Sequence, residues 1–130
     1  IANSDNGTDG FEYFVSNNIV NSYAYADLLV TEETGFVSGL VGNITDTAVV
    51  KSSYYVGNVT SDTVYPISNN SDDSVIYYVN VYTSISTEGI DKSIFAEGKI
   101  HGLAYEAFFY GTILPGLEEF TIEEGKTPQN

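Results

Sequence analysis

The stretch SVIYYVNVYTSIS, residues 74–86, gives the clearest structural signal in the chain. Its residues are β-branched or aromatic almost throughout, and successive side chains alternate between two faces, which is typical of a half-buried β-strand. One face carries Val75, Tyr77, Val79, Val81, Thr83 and Ile85, and the other carries Ile76, Tyr78, Asn80, Tyr82 and Ser84. This stretch therefore predicts a strand within a sheet.

Similar alternation recurs on both sides of this strand. Further strand candidates lie at 11–15, 19–31, 36–41, 47–57, 58–65, 92–113 and 117–123. Turn signals separate them, helical periodicity is weak, and we find no repeat at the periods typical of propellers or solenoids. We therefore expect an all-β, single-domain antiparallel β-sandwich of Ig-like or pilin-like type, with a jelly roll as the alternative.

The domain organisation follows from length and from the polar ends. A chain of 130 residues fits one domain. We expect a flexible leader at 1–10, a sandwich at 11–124 and a polar tail at 125–130. The chain contains no Met, so Ile1 is predicted to be a processed end, most simply after removal of a signal peptide, with a fragment as the alternative. An extracellular or cell-surface location is the expectation.

Charge restricts the classes of partner. The formal net charge is −14, from 18 acidic residues and only four Lys, with no Arg. Such a surface repels nucleic-acid backbones and anionic membranes, and it pushes identical subunits apart. Self-association would then depend on apolar burial and backbone pairing. The absence of Cys excludes disulfides and thiol chemistry.

No motif indicates catalysis, and we predict that the chain is not an enzyme. His101 is the only histidine, and it has no Cys or second His to complete a transition-metal site. No G-x-S-x-G elbow is present. The leader DNGTDG at 5–10 partly matches a calcium loop, but Gly7 stands where a ligand belongs and Ser16 where a bidentate Glu belongs. Only loose calcium binding by carboxylates is expected, with no cofactor.

Four Asn-x-Ser/Thr sequons make N-linked glycosylation a prediction. About two would occur by chance at this composition. The four asparagines fall in the predicted leader, in predicted loops or at a strand break. Such positions are expected to be exposed, and glycan transfer requires exposure. The predicted sites are Asn6, Asn43, Asn58 and Asn69. The alternative is that all four are ordinary polar turn residues.

Pairs of tyrosines on the second faces of two strands suggest a contact surface. The residues are Tyr23, Tyr25, Tyr78 and Tyr82. A tyrosine presents an apolar ring and a polar tip, so exposed rows of them suit a partner subunit or sugar rings. The alternative is that both faces of a central strand are covered within the fold.

The chain is acidic, free of cysteine and rich in tyrosine, and it carries a strand-like N-terminal arm, FEYFVSNNIV at 11–20. In these features and in its expected all-β fold it resembles extracellular filament subunits joined by donor-strand complementation. The resemblance is to chaperone–usher pilins and to the thread-like pili of archaea. Chaperone–usher pilins often carry a disulfide, which this cysteine-free chain lacks. The resemblance implies a structural homopolymer in which the arm completes the sheet of the next subunit. The implied donor side chains are Phe11, Tyr13, Val15, Ile19 and Val20.

Three alternatives stay open. A C-terminal strand at 117–123 is the internal rival donor. The chain would otherwise be a monomeric secreted carbohydrate-binding or adhesion module that uses exposed tyrosines, or a viral coat or spike domain.

Overall fold

The computed structural model describes residues 17–70, 76–86 and 100–130 of the 130-residue chain. In chain order the strands are β1 (Asn18–Val20), β2 (Tyr23–Tyr25), β3 (Leu28–Leu29), β4 (Val37–Ser38), β5 (Val41–Ile44), β6 (Ala48–Val56), β7 (Val59–Thr60), β8 (Val64–Tyr65), β9 (Ser68–Asn70), β10 (Ile76–Thr83) and β11 (Ile100–Gly102). A 3₁₀ helix over Tyr105–Phe109 follows them.

Every pairing between these strands is parallel. β6 lies between β1 and β2 on one side and β10 on the other, and β10 pairs with β11. The shorter strands pair as β3 with β7, β4 with β8 and β5 with β9. Most strands therefore pair with one that follows roughly 30 residues later, which is a typical repeat length of a solenoid.

This connectivity describes a parallel β-solenoid. Residues 18–44 form the first coil, residues 48–70 form the second coil directly on it, β10 begins a third, and β11 belongs to a fourth. The predicted antiparallel β-sandwich is therefore wrong. Alternation along a strand reports which side chains are buried, but it is the same whether the neighbouring strand runs parallel or antiparallel.

The expectation that the chain lacks a solenoid repeat is also wrong. The pattern apolar-x-Asn/Ser-x-Tyr occurs at 19–23 (IVNSY), at 50–54 (VKSSY) and at 78–82 (YVNVY). Its copies lie in register in three successive coils, with Ile19 beside Val50 and Val50 beside Tyr78. Because turn lengths change the spacing from one coil to the next, a search for one fixed period misses the repeat.

A left-handed residue bends each of the first three coils at the same place. Asn21, Ser52 and Asn80 have φ values of 52°, 51° and 53°. Asn and Ser are short polar residues, and Asn in particular tolerates this conformation. The bend reverses the alternation, so Tyr78 and Val81 share one core cluster while Tyr82 belongs to another.

Two apolar layers result. The interior of the coils holds two adjoining clusters, formed by Val50, Ile67, Tyr78, Val81 and Ile100 and by Val41, Ile44 and Ala48. A third cluster forms the second layer outside the sheet, where residues from the C-terminal part of the chain pack on Tyr54, Val56 and Tyr82. The residues that cover this outer face are Phe108, Leu117 and Phe120.

The C-terminal segment, defined here as residues 103–130, differs from expectation. Strands were predicted within 92–113 and at 117–123. The described residues of the first range hold only the short strand β11 and the 3₁₀ helix, and those of the second range hold only Thr121, which forms an isolated antiparallel bridge with Gln129. The residues predicted as a polar tail include Thr127 and Pro128, which are buried. The predicted leader at 1–10 lies outside the described residues.

Candidate functional site

A ladder of aromatic rings runs along the outer face of the main sheet. Tyr23, Tyr54, Tyr82 and His101 occupy the same position in four successive coils. The rings of Tyr23 and Tyr54 stack with centroids 5.1 Å apart, and those of Tyr82 and His101 stack at 4.9 Å. Since His101 is one rung of this stack, its placement indicates a packing role.

The tyrosine hydroxyls of this ladder hold the C-terminal segment in place. Tyr82 donates to the Pro115 carbonyl at 2.6 Å, Tyr23 donates to Gln129 Oε1 at 2.9 Å, and Tyr54 donates to the Pro128 carbonyl. Burial raises the pKa of both Tyr54 and Tyr82. These phenols therefore stay neutral and act as hydrogen-bond donors at any physiological pH.

The outer edge of the first coil is the most distinctive surface of the molecule. Ala26, Leu28 and Val30 donate their amides to carbonyls of the second coil, at 3.2, 2.9 and 2.9 Å. In an extended chain, alternate residues direct their backbone groups to opposite sides, so residues 27 and 29 direct theirs away from the second coil. Within residues 17–70, 76–86 and 100–130, no strand pairs with this edge.

An apolar groove of about 340 Å³ adjoins the same edge. All of its lining residues belong to the first coil: Leu28, Leu29, Val30, Phe36, Val37, Ser38 and Gly42. Leu29 is 69% exposed, although it stands in a strand. Among the described residues, the first coil thus presents backbone groups that pair with no strand beside exposed apolar side chains.

Sequence reasoning missed this edge. It placed Leu28 and Leu29 in the strand candidate 19–31 but took one face of that strand for the inside of a sandwich. The available signal was the run LLV at 28–30, in which both alternating positions are apolar. Such a run suits a strand covered on both faces, yet Leu29 here is largely uncovered.

The predicted donor residues fall into two groups. Phe11, Tyr13 and Val15 lie outside the described residues. Ile19 and Val20 belong to β1 and pair with Val50 and Lys51 of the same chain. Ile19 also packs against the interior clusters, so it is a core residue of the first coil.

The predicted rows of exposed tyrosines are also corrected. Tyr78 is 5% exposed and lies inside the coils, where its hydroxyl meets Ser68 Oγ and Asn70 Nδ2, each at 2.8 Å. Tyr82 is 4% exposed, and Tyr23 is half-buried in the ladder. The left-handed bend at Asn80 puts Tyr78 and Tyr82 on opposite sides of the sheet. Tyr25 alone among the four is well exposed, at 51%.

The predicted glycosylation sites have different surroundings. Asn43 and Asn58 are exposed, Asn69 is half-buried, and Asn6 lies outside the described residues. Asn69 Nδ2 donates to Asn43 Oδ1 at 2.9 Å, so these two side chains form a rung between successive coils. Asn58 donates through its backbone amide and Nδ2 to Asp27 Oδ1. Glycosylation at these positions stays a prediction.

Other kinds of site find no support in the described part of the chain. It contains no group of three or more His, Cys, Asp or Glu side chains arranged to hold a metal ion. No helix in it is both long and apolar enough to span a membrane. No protein-family model matches the chain, and comparison with curated proteins and with solved structures finds no significant match.

Proposed function

We propose that this chain is a structural module of an extracellular fibre, extended when another copy adds a coil to the open edge of the first coil. The observation that carries the proposal is that edge, where outward-facing backbone groups lie beside the exposed Leu29 and the apolar groove. Exposed strand edges with apolar side chains are templates for further pairing.

The mode of joining differs from the one expected for a pilin. A sandwich needs an inserted strand to fill a groove between two sheets, whereas a solenoid accepts a new coil on its end in the same parallel manner as its own coils. Ile19 and Val20 already pair within the chain, so they are not free to complete the sheet of another copy.

Energetics favour the end of the solenoid as the contact. Full burial of one exposed leucine is worth about 2 kcal/mol, and the groove adds further apolar area. The net charge of −14 opposes association of any two copies. Salt screens that repulsion but leaves apolar burial intact, so assembly is expected to increase with ionic strength.

Leu29→Pro tests the proposal most directly. Proline removes the outward amide at 29 and its ring blocks the edge, while the inward bonds of residues 28 and 30 are kept. Leu29→Ala is the matched control, because it keeps the amide and loses only side-chain area. Sedimentation velocity and negative-stain microscopy, at low and high salt, measure assembly, and far-UV circular dichroism checks the fold.

We expect wild-type chain to form elongated oligomers as salt rises, Leu29→Ala to form fewer, and Leu29→Pro to stay monomeric. A folded Leu29→Pro variant that assembles like the wild type would exclude the first-coil edge as the contact. A wild type that is monomeric at every salt and protein concentration would exclude self-assembly altogether.

A further inference from the structure

A second exposed feature lies on the outer face of the first coil, where Tyr25 meets the 3₁₀ helix. The ring of Tyr25 contacts Phe109 edge-on, with centroids 5.6 Å apart, and Tyr105 at 6.4 Å. Tyr105 and Phe109 lie 5.4 Å apart in the helix. The two flanking rings fix the orientation of Tyr25 while half of its own surface stays open to solvent.

Polar groups converge at the edge of these rings. The hydroxyls of Tyr25 and Tyr105 are 3.0 Å apart and share a hydrogen bond. That bond and, to a smaller extent, the charge of Asp27 raise the pKa of Tyr105, which keeps its phenol neutral. Asp27 uses Oδ1 for both of its bonds to Asn58, at 2.9 and 3.3 Å. The described residues offer no partner to its Oδ2.

We propose that Tyr25, Tyr105 and Asp27 bind a neutral pyranose unit of a polysaccharide. The apolar face of the sugar ring would lie on the open face of Tyr25, since its axial C–H groups match an aromatic surface. The paired phenols and the Asp27 carboxylate would meet the sugar hydroxyls, which both donate and accept. This site would give the structural module a second property, adhesion to a glycan.

The charge of the surroundings selects the class of sugar. The chain carries a net charge of −14, the charge of Asp27 acts on Tyr105, and the exposed Glu106 follows Tyr105 directly in the 3₁₀ helix. Uronic acids and sulfated sugars would be repelled, whereas a neutral hexose or pentose meets no such barrier. An amino sugar would gain from the charge, but that attraction would disappear in salt.

The test uses affinity electrophoresis and isothermal titration calorimetry on the full chain, with laminarin, mannan and xylan as neutral probes. Alginate serves as the anionic probe and chitosan as the cationic one. The variants are Tyr25→Ala and Tyr105→Phe. Tyr77→Ala is the matched control, because Tyr77 is another exposed tyrosine, 44% accessible, on β10. Thermal melts confirm that each variant is folded.

We expect at least one neutral probe to bind. Tyr25→Ala should weaken that binding about tenfold, Tyr105→Phe should weaken it by a smaller factor, and Tyr77→Ala should leave it unchanged. The Leu29→Pro variant keeps every residue of this cluster, so it should bind as the wild type does whether or not the fibre proposal holds.

Three results would overturn the sugar site. The first is that no neutral probe binds. The second is that chitosan alone binds and is released by salt. The third is that Tyr25→Ala and Tyr105→Phe, both folded, bind as tightly as the Tyr77→Ala control.

Discussion

Removing the hydroxyl of Tyr54 should destabilise the chain by about 1–3 kcal/mol, the cost of leaving a buried polar group without its partner. Tyr54 is fully buried, and its hydroxyl donates to the carbonyl of Pro128, which is also buried. Its ring stacks on Tyr23 and packs against Phe108 and Phe120. Tyr54→Phe keeps those ring contacts, so it isolates the hydroxyl.

The structure supplies a graded comparison. Tyr82 makes the equivalent bond to the Pro115 carbonyl, but Pro115 is exposed, so water can replace the lost donor. Tyr82→Phe should therefore cost only about 0.5–1.5 kcal/mol. Tyr110→Phe is the control, because Tyr110 is 62% exposed, and its effect should stay within about 0.5 kcal/mol.

Urea unfolding, followed by circular dichroism and by tyrosine fluorescence in this Trp-free chain, measures all three variants. The expected order of destabilisation is Tyr54→Phe, then Tyr82→Phe, then Tyr110→Phe. If Tyr54→Phe and Tyr110→Phe unfold at the same urea concentration, the hydroxyl ladder does not hold the C-terminal segment.

Two further predictions concern pH and the bend. Burial raises the pKa of Tyr55 to about 12 and also raises that of Tyr54. The stability that these two phenols contribute should therefore be fully present below pH 10, the ordinary tyrosine value, and should fall between pH 10 and 12. Urea midpoints that do not move between pH 10 and 12 would contradict this expectation. Ser52→Gly should be more stable than Ser52→Ala by about 1 kcal/mol, because of the two residues only glycine adopts a φ of 51° without strain. Equal thermal midpoints for the two variants would show that the bend is unstrained.

Local strand structure was predictable, whereas strand direction was not. The candidates at 47–57 and 74–86 correspond to β6 (Ala48–Val56) and β10 (Ile76–Thr83). The residue types that favour a pleated surface are the same in any sheet, so they identified these strands correctly. Their parallel register depends on contacts between coils, and no local pattern reports those.

The tyrosine predictions failed for a more local reason. A period of two continues through a strand only while every residue has extended geometry, and Asn80 at φ 53° interrupts it. Tyr78 therefore faces the interior and Tyr82 the outer ladder, although both stood on one predicted face. The open edge at Leu29 was out of reach as well, since a sequence shows an apolar residue but not whether another coil covers it.

The stacked pattern also restricts which strand can extend the solenoid. Within residues 17–70, 76–86 and 100–130, Ile19 and Tyr23 are the first members of their ladders and are only half-buried, whereas Val50 and Tyr54 one coil further in are fully buried. A strand added beyond β1 and β2 buries Ile19 and Tyr23 only if it brings an apolar residue and an aromatic residue to those same positions. It must also place Asn, Ser or Gly beside Asn21, because any strand without the left-handed bend loses register halfway along. An ordinary alternating strand therefore fits poorly at this edge, so any strand that extends the solenoid is expected to carry the same bend and the same two side-chain types.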